Sequence, residues 1–106
     1  MKLLLDENLP VAFRHELVGH DVFTVDYMRW KGTRNGKLLA LAASSGFDAL
    51  VTMDDGIPQQ QNIKNIPLSV VGLVAPSNDI DDLRPLVPRL LDALRTLPPR
   101  SVIKVR

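Results

Sequence analysis

The chain has 106 residues, 45% of them hydrophobic, which is enough for one self-sufficient core and too little for two, so a single domain over residues 1–106 is expected. Its 13 basic and 12 acidic residues leave a net charge of +1, which excludes a global field favouring nucleic acid or an anionic membrane; any such partner must be met by a local cluster. The absence of cysteine excludes disulfides and thiolate metal sites, no apolar run approaches membrane-spanning length, and acids at positions 6 and 7 come too early for a secretory segment, so a soluble cytoplasmic protein with no membrane partner is the expectation.

Residues 2–6 read as a buried strand. Leu9, Phe13 and Leu17 then recur at helical spacing, with Pro10 suited to a first turn and Gly19 to a stop. Val22, Phe23, Thr24 and Val25 form a second strand, and Leu38, Leu39, Leu41, Ala42 and Ala43 mark a helix that ends at Gly46. A third strand covers residues 49–52. After a polar stretch containing Gln59, Gln60, Gln61 and Asn62 comes a fourth over 68–74, β-branched in its middle. A last helix carries Leu86, Leu90, Leu91, Leu94 and Leu97, with Pro85 and Pro88 tolerable only near its start, and residues 101–105 form a short final strand. Strands alternating with helices across short connections predict an α/β sandwich on a mostly parallel sheet.

In such sheets ligands bind beyond the carboxyl ends of the strands, where the strand order reverses. Strand 1 is expected at the centre with strand 3 beside it, which brings Asp6 and the Asp54-Asp55 pair to neighbouring ends, able to share one hard cation through oxygen ligands. Taken singly, each acidic segment also reads as an ordinary polar turn or helix cap. Between strand 2 and helix 2, Arg29, Lys31, Arg34 and Lys37 surround Trp30, the only tryptophan. Cations for phosphates and an aromatic face for a base suit single-stranded nucleic acid, while the plainer reading makes Trp30 a loop anchor and the cations a solvated surface. His15 and His20 have no partner at metal-ligand spacing, and no nucleophile-elbow pattern occurs.

The opening Leu4-Leu5-Asp6-Glu7-Asn8-Leu9-Pro10, the Gly19-His20-Asp21-Val22 turn, the helix start Arg34-Asn35-Gly36-Lys37-Leu38-Leu39-Ala40-Leu41-Ala42 and the strand end Val51-Thr52-Met53-Asp54 together resemble the standalone PIN-like family. The likeness continues through Gln60-Gln61-Asn62, Ala75-Pro76-Ser77-Asn78 and Leu86-Val87-Pro88, so it spans nearly the whole chain. It implies a three-layer α/β/α PIN-like sandwich with a mostly parallel central sheet of four to five strands, and kinship with VapC-type toxins and other metal-dependent ribonucleases. In that wider family the acid ending strand 1 and one or two acids after strand 3 bind Mg²⁺ or Mn²⁺, which maps onto Asp6, Asp54 and Asp55, with Glu7 assisting. The implied partners are RNA, a small antitoxin protein and a second copy of the chain. PIN nucleases usually add an acid from the central helix; here Lys37 holds that position, and no acid occurs between Asp26 and Asp48. Gly56 also stands where a relative places its next acid, so Asp55 must substitute. A catalytically weak or inactive PIN-like RNA- or protein-binding module is the alternative this leaves open.

A phosphoacceptor receiver domain ranks third. It too places acids after strand 1 and an Asp after strand 3, and Asp54 and Pro58 have its Asp-Pro spacing. The Lys it needs at the end of the last strand is replaced by Lys104 inside the terminal Ile103-Lys104-Val105-Arg106 run.

Overall fold

The computed structural model describes residues 1–55 and 66–106; Gly56, Pro58 and the glutamine-rich stretch 59–62 lie outside the described residues. Five short strands, β1 (Lys2–Leu5), β2 (Asp21–Thr24), β3 (Ala49–Thr52), β4 (Ser69–Leu73) and β5 (Val102–Val105), form one sheet in the order β2-β1-β3-β4-β5. Every pairing is parallel, so all five carboxyl ends open on the same side. The near-continuous apolar sequences of the three inner strands, β1, β3 and β4, go with burial on both faces.

Alternation along the strands splits the interior in two. Leu3, Leu5, Ala49, Val51, Val71 and Leu73 face a core completed by Leu9, Phe13 and Leu17 on one side of the chain and Leu83, Leu86, Leu90 and Leu94 on the other. Leu4, Leu50 and Val70 face the opposite core, with Leu38, Leu39 and Ala42 of helix α1 (Asn35–Ser44) and with Phe47. The result is an α/β fold with packing on both sides of a parallel sheet, as the strand and helix pattern predicts. α1 and the segment between β4 and β5 cross the sheet in the same direction on opposite faces. Their crossovers therefore have opposite hands, and one departs from the usual right-handed rule.

Two helical expectations need correction. Leu9, Phe13 and Leu17 are all buried as their spacing predicts, but the segment carrying them is a 3-10 helix over Val11–Glu16, not an α-helix. Its preceding Pro10 offers no side-chain cap, and Gly19 at φ +89° turns the chain away before a longer helix can propagate. The last helix is broken into α2 (Ile80–Leu83), a 3-10 turn (Arg84–Leu86) and α3 (Val87–Arg95). Each proline falls in the first turn of its own piece, where a missing N–H costs nothing, and Leu97 lies beyond the helix. Asp79 caps α2 by accepting from the Asp81 N–H.

Candidate functional site

β1 and β3 are hydrogen-bonded neighbours with Leu5 opposite Val51, and the Asp6 N–H extends the ladder to the Val51 carbonyl at 2.9 Å. The strand order reverses between them, so the chain leaves this pair of ends in the position where parallel sheets bind ligands. Asp6 is buried there, 7% exposed. Its carboxylate is held from two sides: Oδ1 accepts from the Glu7 N–H at 2.8 Å and Oδ2 accepts from the Thr52 hydroxyl at 2.7 Å. Thr52, fully buried at the end of β3, accepts in turn from the Asp54 N–H at 2.9 Å and from Asn8 Nδ2 at 3.3 Å. One hydroxyl thus ties the Asp6 side chain to the backbone that presents Asp54.

Three asparagines complete this junction. Asn8 Oδ1 accepts from the Met53 N–H at 3.3 Å, and Asn78 Nδ2 donates to the Asn8 carbonyl at 3.1 Å. Asn35, the first residue of α1, donates from Nδ2 to Asp54 Oδ2 at 3.5 Å. The ends of β1 and β3, the loop after β4 and the start of α1 therefore meet around the two acids.

Burial raises the Asp6 pKa above the ordinary carboxylate value. The Thr52 and Glu7 hydrogen bonds oppose that rise, and the nearby charges of Glu7 and Asp54 add to it. Among the described residues no Lys or Arg forms an ion pair with Asp6 or Glu7; both ion pairs there involve Arg84, far along the chain. Asp6, Glu7 and Asp54 thus bring carboxylate oxygens to one sheet end, the ligand chemistry a hard dication favours. No group of three or more His, Cys, Asp or Glu side chains among the described residues is gathered for a metal. A cation fitting this junction is the kind held by one or two carboxylates, with water and phosphate oxygens filling the remaining positions, as Mg²⁺ commonly is. Asp55 is exposed just beyond, and Glu7 is exposed with Oε2 accepting from the Gly32 N–H at 3.3 Å.

That bond connects the acids to the basic loop. Lys31 lines a cavity of about 140 Å³ with Asp6, Glu7 and Asp26, and it also lines a wider concavity of about 400 Å³ with Gly32, Thr33, Arg34 and Lys37 at the start of α1. Arg29 is exposed in the left-handed region at φ 62°, away from the lining of either. Lys37 lies in the first turn of α1, two residues after the Asn35 that holds Asp54. Trp30 packs edge-to-face on Phe47 with ring centroids 6.0 Å apart, against the α1-side core, and its backbone N–H donates to the Val25 carbonyl. Its ring anchors the loop.

The pattern of acids and cations misses Thr52, Asn8, Asn35 and Asn78. A threonine closing an otherwise apolar strand two residues before an acid is the one signal the chain offers for the first of these; the asparagines look like ordinary turn residues. Compared with family models, characterised proteins and solved structures, the chain matches none. No helix among the described residues is long and apolar enough to cross a membrane.

Proposed function

We propose that this chain is a divalent-cation-dependent ribonuclease of the PIN-like kind, with Asp6 and Asp54 at its centre. The observation that carries the reading is the Thr52 hydroxyl, which joins a buried Asp6 to the Asp54 backbone at adjoining ends of parallel strands. Asp6 and Asp54 would hold Mg²⁺ or Mn²⁺, with Glu7 and Asp55 in outer positions. A dication there supplies polarisation of a phosphoryl oxygen and a bound water of lowered pKa.

The chain's own groups have separate tasks. Thr52 and the Glu7 N–H fix the Asp6 carboxylate and favour its ionised form against the opposing effect of burial. Asn35 orients Asp54. Lys31, bordering the acids, neutralises the phosphate nearest them, while Arg34 and Lys37 receive phosphates further along the strand and Arg29 adds positive charge at the rim. RNA is the substrate in this reading. A small antitoxin covering the acids, a second copy of the chain and a cytoplasmic setting are the surroundings that the family resemblance implies.

One observation favours a second reading, a weak or inactive RNA- or protein-binding module. The start of α1 brings Lys37, not an acid, and the described residues gather no third carboxylate. A cleavage assay separates the two. Purified protein is incubated with single-stranded RNA in Mg²⁺, Mn²⁺ or EDTA, beside Asp6→Ala and Asp54→Ala. Metal-dependent cleavage lost in both variants supports the nuclease. RNA binding without cleavage under any metal supports the binding module, and cleavage that survives Asp6→Ala refutes the proposed site.

A further inference from the structure

Trp30 spends its ring on the core, yet a different aromatic side chain stands free at the same sheet end. Tyr27, 72% exposed, follows β2 by three residues, and its backbone N–H is held by the Thr24 hydroxyl at 3.0 Å. Its ring leans on Phe23 with centroids 5.7 Å apart, so one edge is supported while most of the ring meets solvent. Tyr27, Phe23, Val22 and Val11 line a groove of about 380 Å³ beside β2, the outermost strand on that side of the sheet. Arg14 and Asp26 complete its lining along with Thr24.

The groove adjoins the acidic cavity across a shared wall. Val11, Thr24 and Asp26 line both, and the smaller cavity adds Asp6, Glu7 and Lys31. The charges sort what fits where. The Asp26 carboxylate on the shared wall repels a phosphate, and the apolar and aromatic surface beside it favours a flat, uncharged ring. Arg14 on one side and Lys31 on the other provide cations for the phosphates that flank such a ring.

We propose that the groove beside β2 is a nucleobase subsite, in which one base of single-stranded RNA stacks on Tyr27 while the adjoining phosphates reach Arg14 and Lys31. This rests on the ribonuclease reading for its substrate class and adds to it the position of a base. Stacking on an exposed aromatic is tolerant of base identity, so the subsite selects unpaired RNA over duplex and not one sequence over another.

The test is binding in EDTA, where cleavage plays no part. A fluorescently labelled RNA hexamer and an abasic hexamer of the same charge are titrated with the native protein, Tyr27→Ala and Tyr27→Phe, with thermal unfolding to establish that each is folded. Tyr27→Ala is expected to lose roughly 5- to 150-fold in affinity for the hexamer, matching about 1–3 kcal/mol for one stacked base. Tyr27→Phe should bind like the native chain, and the abasic hexamer should be indifferent to both substitutions. Equal binding of the hexamer by Tyr27→Ala, an equal loss for the abasic strand, or failure of the native protein to bind RNA each overturns the proposal. So does a sedimentation profile in which Tyr27→Ala dissociates a dimer without any base-dependent change, since the groove is then a contact between copies. Base-dependent loss at Tyr27 in a protein that never cleaves keeps the subsite and refutes the nuclease. Intact base binding in Tyr27→Ala of a protein that does cleave refutes only the subsite.

Discussion

Replacing Thr52 by Val is the sharpest probe of how the acidic junction is held. Val has nearly the same shape and suits a strand, so packing in the fully buried site is preserved while the hydroxyl disappears. Three interactions go with it: the 2.7 Å bond to Asp6 Oδ2, the 2.9 Å bond from the Asp54 N–H and the 3.3 Å bond from Asn8 Nδ2. A hydrogen bond to a charged group contributes about 1.5–3 kcal/mol, and a buried donor left unmade costs about 1–3 kcal/mol. Partial rehydration of the outer groups reduces that sum, so a loss of about 2–4 kcal/mol at neutral pH is expected for Thr52→Val. Thr52→Ser keeps the hydroxyl and should lose about 1 kcal/mol or less, for one methyl group.

The pH dependence gives the argument its sign. The Asp6 pKa is raised in the folded protein, so the native state holds its proton more tightly than the unfolded chain, and stability falls as pH rises from the ordinary value of 3.8 through the folded pKa. The Thr52 bond opposes that rise, and removing it pushes the folded pKa higher still. The cost of Thr52→Val should therefore be smaller below the unfolded pKa, where the bonds from the Asp54 N–H and Asn8 are still lost but Asp6 is neutral, and full above the folded one. Urea unfolding of native, Val and Ser forms at about pH 3.5 and pH 7 measures this. A Val variant as stable as the native chain at pH 7, or one equally weakened at both pH values, would refute the account of how Asp6 is held.

Joint replacement of Arg29, Lys31 and Arg34 by Ala should weaken RNA binding and reduce its salt slope by about 2, the effect of roughly three single-strand phosphate contacts, in a titration across ionic strength; an unchanged slope removes the loop from the interface. Lys37→Glu exchanges an ammonium for a carboxylate on the helix start that also carries Asn35, so calorimetry should record tighter Mn²⁺ binding, and any cleavage should speed up. Equal or weaker affinity would mean that Lys37 acts on phosphate alone. Trp30→Ala should lower stability by about 2–3 kcal/mol, below the range for a wholly buried Trp because the ring is only half-buried, with little change in base-dependent RNA affinity; a large base-dependent loss would restore Trp30 as a stacking residue.

Hydrophobic runs and glycine stops made the sheet legible. Each apolar run became a strand within a residue or two, and central β1 with β3 beside it follows from the common doubly wound order. Helical character was less secure where the run was short. The i, i+4 spacing of Leu9, Phe13 and Leu17 correctly marks a buried face, but spacing does not tell a 3-10 segment from an α-helix when so few residues must order. Pro85 and Pro88 signal a helix start, and the structure uses two starts.

At the site, the acids were visible because charge at the end of an apolar strand demands a reason. The Thr52 hydroxyl and the asparagines were not, since their role depends on contacts between segments distant in the chain. The aromatic assignments show the same limit. Composition draws attention to Trp30 among four cations, but whether a ring faces Phe47 or solvent is decided by tertiary packing, and it is Tyr27 that remains exposed.

The central claim is that Asp6 and Asp54 serve one cation, and calorimetric titration of Mn²⁺ into the native protein, Asp6→Asn, Asp54→Asn and the double variant tests it most directly. Two ligands of one ion are coupled, so each single substitution should remove most of the affinity and the double variant should lose little more than the worse single. Losses that simply add across the two positions, or a folded native protein that takes up no Mn²⁺, would contradict the shared site.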